Sequence, residues 1–197
     1  MTLALKARPR PADLREFRYT RDDYATLTET GLFDGLRVEL IHGRLIEMPP
    51  ISEDHGNCVL LAARILRRIF PEDTFTVRPG LPFVASDDSE PEPDLCVVTG
   101  SAKVHTKHPR SCLLLIEVSL STLEFDRKVK ASVYAESGVE DFWIINLVDR
   151  VIEVHRQPRQ GSDGVWGYAA LQRVLPSDSV APLADASRPI RVDELLP

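Results

Sequence analysis

The chain lacks any C-x-x-C pair, any apolar run long enough to cross a bilayer, and any surplus of positive charge. Its three cysteines, Cys58, Cys96 and Cys112, are scattered, and the last two fall in apolar runs. Buried reduced thiols in a cytoplasmic protein are the expectation. A membrane-spanning helix needs about 20 consecutive apolar residues; nothing approaches that, so no membrane is expected among the partners. Lys6, Arg8 and Arg10 are not followed by an apolar core or cleavage site, so no signal peptide is expected. The formal net charge of −6 argues against coating duplex DNA through bulk electrostatics, while leaving room for a locally basic groove.

What is present is enough for one core. At 197 residues, 43% hydrophobic and 27% charged, the chain reads as a soluble single domain over 19–197. Residues 1–18, broken by Pro9 and Pro11, read as a flexible arm. Thr20 with Asp23 outlines a capping box for a short helix that stops at Gly31. Residues 36–41 and 44–48 flank His42-Gly43 and predict a hairpin, with Val38 and Leu40 on one face and Arg37, Glu39 and Ile41 on the other. Val59, Leu60, Ala63, Leu66 and Ile69 recur at helical spacing over 58–70, opposite Arg64, Arg67 and Arg68. Strands are expected at 75–78, 81–84, 94–98 and 113–119, then a helix over 123–137 stopped at Gly138. A second hairpin at 142–147 and 151–155, a strand near 167–173 and a short terminal helix near 192–196 complete the chain. The pattern is α/β or α+β, one mixed sheet flanked by helices.

The chemistry centres on residues 113–119, a continuous aliphatic run of the kind that fills a strand covered on both faces. Glu117 interrupts it. A buried ionised carboxylate is costly unless a cation or donors compensate it. Asp94 opens the preceding strand after Pro93, 23 residues upstream of Glu117. Two acids on neighbouring strands supply the hard oxygen ligands that Mg²⁺ or Mn²⁺ takes; alternatively, an acid at a strand start simply caps a turn. A lysine on the following helix is the third element. Lys128 and Lys130 lie about equally far from the apolar face centred on Val129, at ~100° per residue, and periodicity does not choose between them.

In order, Glu39-Leu-Ile-His-Gly-Arg-Leu45, Glu90-Pro-Glu-Pro-Asp-Leu95, Ile116-Glu-Val-Ser119, Asp126-Arg127 with Lys130 and Tyr134-Ala135, and Phe142-Trp-Ile-Ile-Asn-Leu147 resemble the Uma2 family (formerly DUF820) of the PD-(D/E)XK nuclease-like superfamily. The resemblance runs from about Tyr19 to Pro158. It implies a restriction-endonuclease-like core: a mixed central sheet with helices on both sides. Pro93-Asp94 stands at the PD and Glu117 at the acid of the (D/E)XK. Ser119 stands where lysine is expected, and Lys130 matches the lysine that similar proteins carry on the following helix. Glu39 matches an upstream glutamate that joins the metal directly or through water. His55 matches a histidine that either contacts substrate or caps the next helix. His42, Arg44 and Leu120 depart from residues common in the family.

The activity so implied is endonucleolytic hydrolysis of DNA. Asp94, Glu117, the Val118 carbonyl and Glu39 would hold Mg²⁺ or Mn²⁺, and Lys130 would position a water. Phosphates would be met by Arg64, Arg67 and Arg68 or by the loop from Lys103 to Arg110. Two other readings stand beside it: a non-catalytic nucleic-acid-binding or assembly protein on the same fold, and a metal-dependent hydrolase of a small phosphate compound. An exposed Trp143 hairpin would make a homodimer possible; the same residues could equally be core.

Overall fold

The computed structural model describes residues 15–197; the first fourteen residues of the expected N-terminal arm lie outside them. Helix α1 (Arg21–Glu29) starts from the capping box foreseen at Thr20, whose side chain accepts from the Asp23 amide while Asp23 accepts from the Thr20 amide. Strands β1 (Val38–Ile41) and β2 (Arg44–Glu47) form the hairpin. Its turn residues, His42 and Gly43, have φ of 46° and 70°, the positive pair that a tight primed turn requires. A Cβ at Gly43 would lie 2.7 Å from Arg18 Cβ, so glycine is required for space as well. Leu40 and its neighbours Glu39 and Ile41 are all buried, so β1 is covered on both faces, whereas Arg44 and Glu47 of β2 are exposed.

Helix α2 (Glu53–Ile69) begins five residues earlier than its apolar periodicity suggests, because the Ser52 side chain accepts from the His55 amide and caps it there. It buries Cys58, Ala62, Ala63, Ile65 and Leu66, whereas Leu60 is exposed. Strands β3 (Phe75–Pro79), β4 (Leu95–Thr99), β5 (Leu114–Ser119), β6 (Asp141–Asn146), β7 (Val151–Gln160) and β8 (Trp166–Val174) make one six-stranded sheet in that order. Only the β5–β6 pair is parallel, and the helical segment 123–136 connects its two strands. No strand forms at 81–84. Pro82 has no amide to give a ladder, and the amides of Phe83 and Val84 bond instead to the carbonyls of Pro91 and Pro109.

The sheet is clothed on both faces. Leu114, Ile116 and Val118 face α2, and Leu115 faces the helical segment with Ala131, Val133 and Tyr134. That segment comprises α3 (Leu123–Phe125), a π-helical turn (Asp126–Lys130) and α4 (Ala131–Glu136). Phe142, Trp143, Ile144 and Ile145 are fully buried, so the second hairpin is core and does not supply the exposed apolar surface on which the homodimer expectation rested. The C-terminal segment forms β9 (Ser179–Val180), β10 (Ile190–Arg191) and a 3₁₀ turn at Val192–Glu194 in place of the expected helix. Val192, Leu195 and Leu196 pack into the α2-side core. Among the described residues no helix is long and apolar enough to cross a membrane.

Candidate active site

Sheet register creates the acid pair. Leu95 is opposite Ile116 and Cys96 is opposite Leu115; one further step sets Asp94 opposite Glu117. Alternation along β5 turns Glu117 toward the helical segment, while Asp94, just before β4, reaches the start of α2. Asp94 is fixed at both oxygens: Oδ2 accepts from the Val118 amide at 2.7 Å, and Oδ1 lies 2.8 Å from His55 Nε2. His55 therefore sits in the first turn of α2 as a partner of Asp94, while Ser52 is the cap.

Glu117 is buried at the floor, and its Oε1 collects two donors, Lys130 Nζ at 3.0 Å and the Tyr134 hydroxyl at 2.5 Å. Lys130 is 2% exposed and also donates to Glu39 Oε1 at 3.1 Å. Lys128, by contrast, is exposed and pairs with Glu124 on the helix surface. The π turn separates the two lysines. Its wider i→i+5 pattern, seen in the Ala131 amide bonding the Asp126 carbonyl, rotates the following residues relative to an ordinary helix. Asp126 opens that turn and is itself held by the hydroxyls of Ser119 and Thr122, each at 2.7 Å. Ser119, at the position where lysine is expected, thus anchors the element that carries Lys130.

One ammonium therefore serves several acids. Burial raises Glu117 well above the usual carboxylate range; Lys130 opposes this, and Asp94, Asp126 and Glu39 reinforce it. Glu39 and Asp126 are also raised, burial again being the largest cause and Lys130 the chief opposition. Burial pulls Lys130 down, but the summed attraction of Glu117, Glu39, Asp126 and Asp94 outweighs it and holds the amine protonated. Burial, then the charge of Glu117, keeps the Tyr134 phenol neutral and a donor.

The cleft above this floor is lined by Asp94, Glu117, Val118, Lys130 and His55. Its room for water-sized spheres is about 70 Å³, a few waters at ~10–15 Å³ each. That is the scale of a hydrated ion. Among the described residues no three His, Cys, Asp or Glu side chains are placed to enclose a metal. The donor set nonetheless fits a hard divalent cation, because Mg²⁺ commonly takes one or two carboxylates and keeps its waters. Among the described residues Glu39 Oε2 is buried with no hydrogen-bond partner, a further sign that the cluster is short of positive charge.

The structure thus brings Glu39, His55, Asp94, Glu117, Val118 and Lys130 together. It does not bring Arg64, Arg67 or Arg68 to the cleft: they occupy the exposed face of α2, opposite its buried residues, and none lines the acid site. Arg37, Glu92 and Asp126 line the cleft without having been singled out as site residues, and Leu120 lines it too. Arg37 sits on the arginine-glutamate alternation of the first hairpin, and Glu92 in the acidic run before Asp94. Those are signals too common to mark a site alone.

The comparisons agree with this arrangement of elements. The family model described as "Uma2: Putative restriction endonuclease" matches residues 21–186. Among solved structures, the chain is similar to "a putative nuclease belonging to DUF820 from Anabaena variabilis ATCC 29413", with a TM-score of 0.68 at 14% identity. The match covers 90% of this chain and 97% of that one. Comparison with curated proteins gives no match. With its mixed sheet and a family match across most of its length, the chain belongs to the Uma2 family.

Proposed function

We propose that the protein is a divalent-metal-dependent nuclease that hydrolyses phosphodiester bonds in DNA. The observation that carries this reading is the buried Lys130–Glu117 contact of 3.0 Å beneath a cleft whose other wall is Asp94. Asp94 and Glu117 would hold Mg²⁺ or Mn²⁺, with the Val118 carbonyl and Glu39 completing the site. The ion, when bound, supplies a Lewis acid for the phosphate oxygen and lowers the pKa of a coordinated water.

The chain's own residues do the rest. His55 and the Val118 amide fix Asp94 in one rotamer. Tyr134 and Lys130 occupy Glu117 Oε1 and leave Oε2 without a side-chain donor among the described residues. Because Lys130 is held protonated, its role is to donate and to offset charge on the phosphoryl group, not to act as a base. Glu39 Oε1 accepts from that ammonium and helps hold it in place.

Hydrolysis is the test. Plasmid DNA, single-stranded DNA, RNA and a small phosphodiester are incubated with Mg²⁺ or Mn²⁺ and with EDTA. Metal-dependent cleavage of DNA is the expected result. Turnover of the small ester alone would assign the site to a small phosphate compound, and binding of DNA without any cleavage would assign the fold to a binding or assembly role.

A further inference from the structure

A second cleft opens beside β3, and its chemistry is opposite to the first. Arg21, Arg78, Lys107, His108 and Arg110 line it, and no Asp or Glu does. Its room for water-sized spheres is about 550 Å³, several times that of the acidic cleft and of the size that takes a nucleotide. Two of its cations are already answered at the rim: Arg21 pairs with Glu90, and Arg110 pairs with Asp87. Arg78 is not. It is 8% exposed and forms no ion pair among the described residues, and its Nε is buried without a hydrogen-bond partner. Among the described residues its Nη2 reaches only His108 Nδ1, at 3.5 Å, the outer limit of a hydrogen bond. A guanidinium cannot shed its proton to escape burial. Left unpaired in such a place, it is a charge without its counter-ion.

From this geometry we infer that the basic cleft binds a phosphoryl group of a nucleotide, with Arg78 as the buried anchor and Lys107 and Arg110 at the mouth. The planar fork of Arg78 suits two phosphate oxygens at once. The place of the cleft gives it a use. Glu90, which holds Arg21, and Asp94, in the acidic cleft, belong to one extended loop four residues apart. Fully extended, such a segment spans at most about 14 Å. A polynucleotide whose scissile phosphate lay at Asp94 would bring a phosphate a few nucleotides along the strand to this basic wall. That part of the inference rests on the nuclease reading; the phosphate site does not.

The test uses the full chain in EDTA, so that cleavage is off. Binding of inorganic phosphate and of one oligonucleotide, single-stranded and duplex, is measured against salt for wild type, Lys107→Ala, Arg110→Ala and Arg78→Met. The expected result is affinity lower by about tenfold in Arg78→Met, with each mouth variant reducing the salt slope on duplex by about one. Lys107→Ala and Arg110→Ala alter exposed side chains, so the answer stands even if Arg78→Met fails to fold. Oligonucleotide binding with inorganic phosphate as a competitor assigns the site to a strand. Phosphate binding alone, lost in the same variants, upholds the site and assigns it to a free phosphate compound. Unchanged affinities and salt slopes in the variants would overturn the inference, while metal-dependent cleavage by the same variants would leave the nuclease reading intact. Conversely, variant-sensitive binding by a wild type that cleaves no nucleic acid would keep the site and end that reading.

Discussion

Lys130 Nζ lies 3.0 Å from Glu117 Oε1, and both side chains are almost wholly buried. A pair so placed contributes little net stability against an apolar pair of equal size, yet removing one partner is costly because it strands the other charge. The contact therefore adds little to net stability, which is compatible with the catalytic role proposed for it.

Lys130→Ala is expected to destabilise the metal-free protein by about 3–5 kcal/mol, since Glu117 and Glu39 then lose the ion pair they share. Lys128→Ala, which loses an exposed pair, should change stability by less than about 1 kcal/mol. Denaturant melts of the two variants check this, and equal midpoints would contradict it.

Because burial raises Glu117, Glu39 and Asp126, the folded cluster holds protons that the unfolded chain gives up. The stability this contributes is present below the ordinary carboxylate value of about 4.5 and declines as pH rises through the raised folded values. A divalent cation should displace those protons. Calorimetric titration with Mn²⁺ near neutral pH, in two buffers of different ionisation heat, is expected to report net proton release. Identical heats in both buffers would mean that no proton leaves.

His155 gives the opposite slope. Burial lowers it from 6.5 to about 4, and its Nε2 has no hydrogen-bond partner among the described residues. Between those values the unfolded chain takes up a proton that the folded chain refuses, so stability falls on acidification by up to ~3 kcal/mol. His155 stacks near Phe142 and Tyr168, and His155→Phe should retain that packing while flattening the acid limb of a stability–pH curve. A variant curve parallel to wild type from pH 6.5 to 4 would place the acid sensitivity elsewhere.

Asp126→Ala should leave Ser119 and Thr122 without their shared acceptor and loosen the π turn that aims Lys130. The expected cost is about 1–3 kcal/mol of stability, with a larger proportional loss of any metal-dependent activity than Glu124→Ala causes. Asp126→Asn, which keeps an acceptor oxygen, should recover most of both.

The legibility of the molecule in its sequence follows the range of the forces involved. Glu117 could be read because it is one acid in an aliphatic run, and the hairpin because His42-Gly43 sits between alternating strands. Residues 81–84 carry the apolar residues of a strand, but Pro82 lacks an amide and the Phe83 and Val84 amides bond to loop carbonyls instead. Periodicity leaves Lys128 and Lys130 tied, because they flank Val129 symmetrically on the helix; family resemblance alone selects Lys130, and burial beside Glu117 and Glu39 is a tertiary fact. Tyr134 reads as one more aromatic on an apolar helix face, and its contact with Glu117 depends on packing seventeen residues away. The arginines of α2 were visible as a basic face, but their distance from the acid pair is a tertiary fact. Arg78 ends an expected strand, and nothing in the sequence marks it as buried.

The most direct test of the central claim is a Mn²⁺ titration followed by electron paramagnetic resonance, with wild type beside Asp94→Ala, Glu117→Gln and Lys128→Ala. A divalent-cation site in wild type and Lys128→Ala, weakened by at least about tenfold in the two acid variants, is the predicted result. Binding that is absent in wild type, or that survives unchanged in Asp94→Ala, would contradict a metal site built on Asp94 and Glu117.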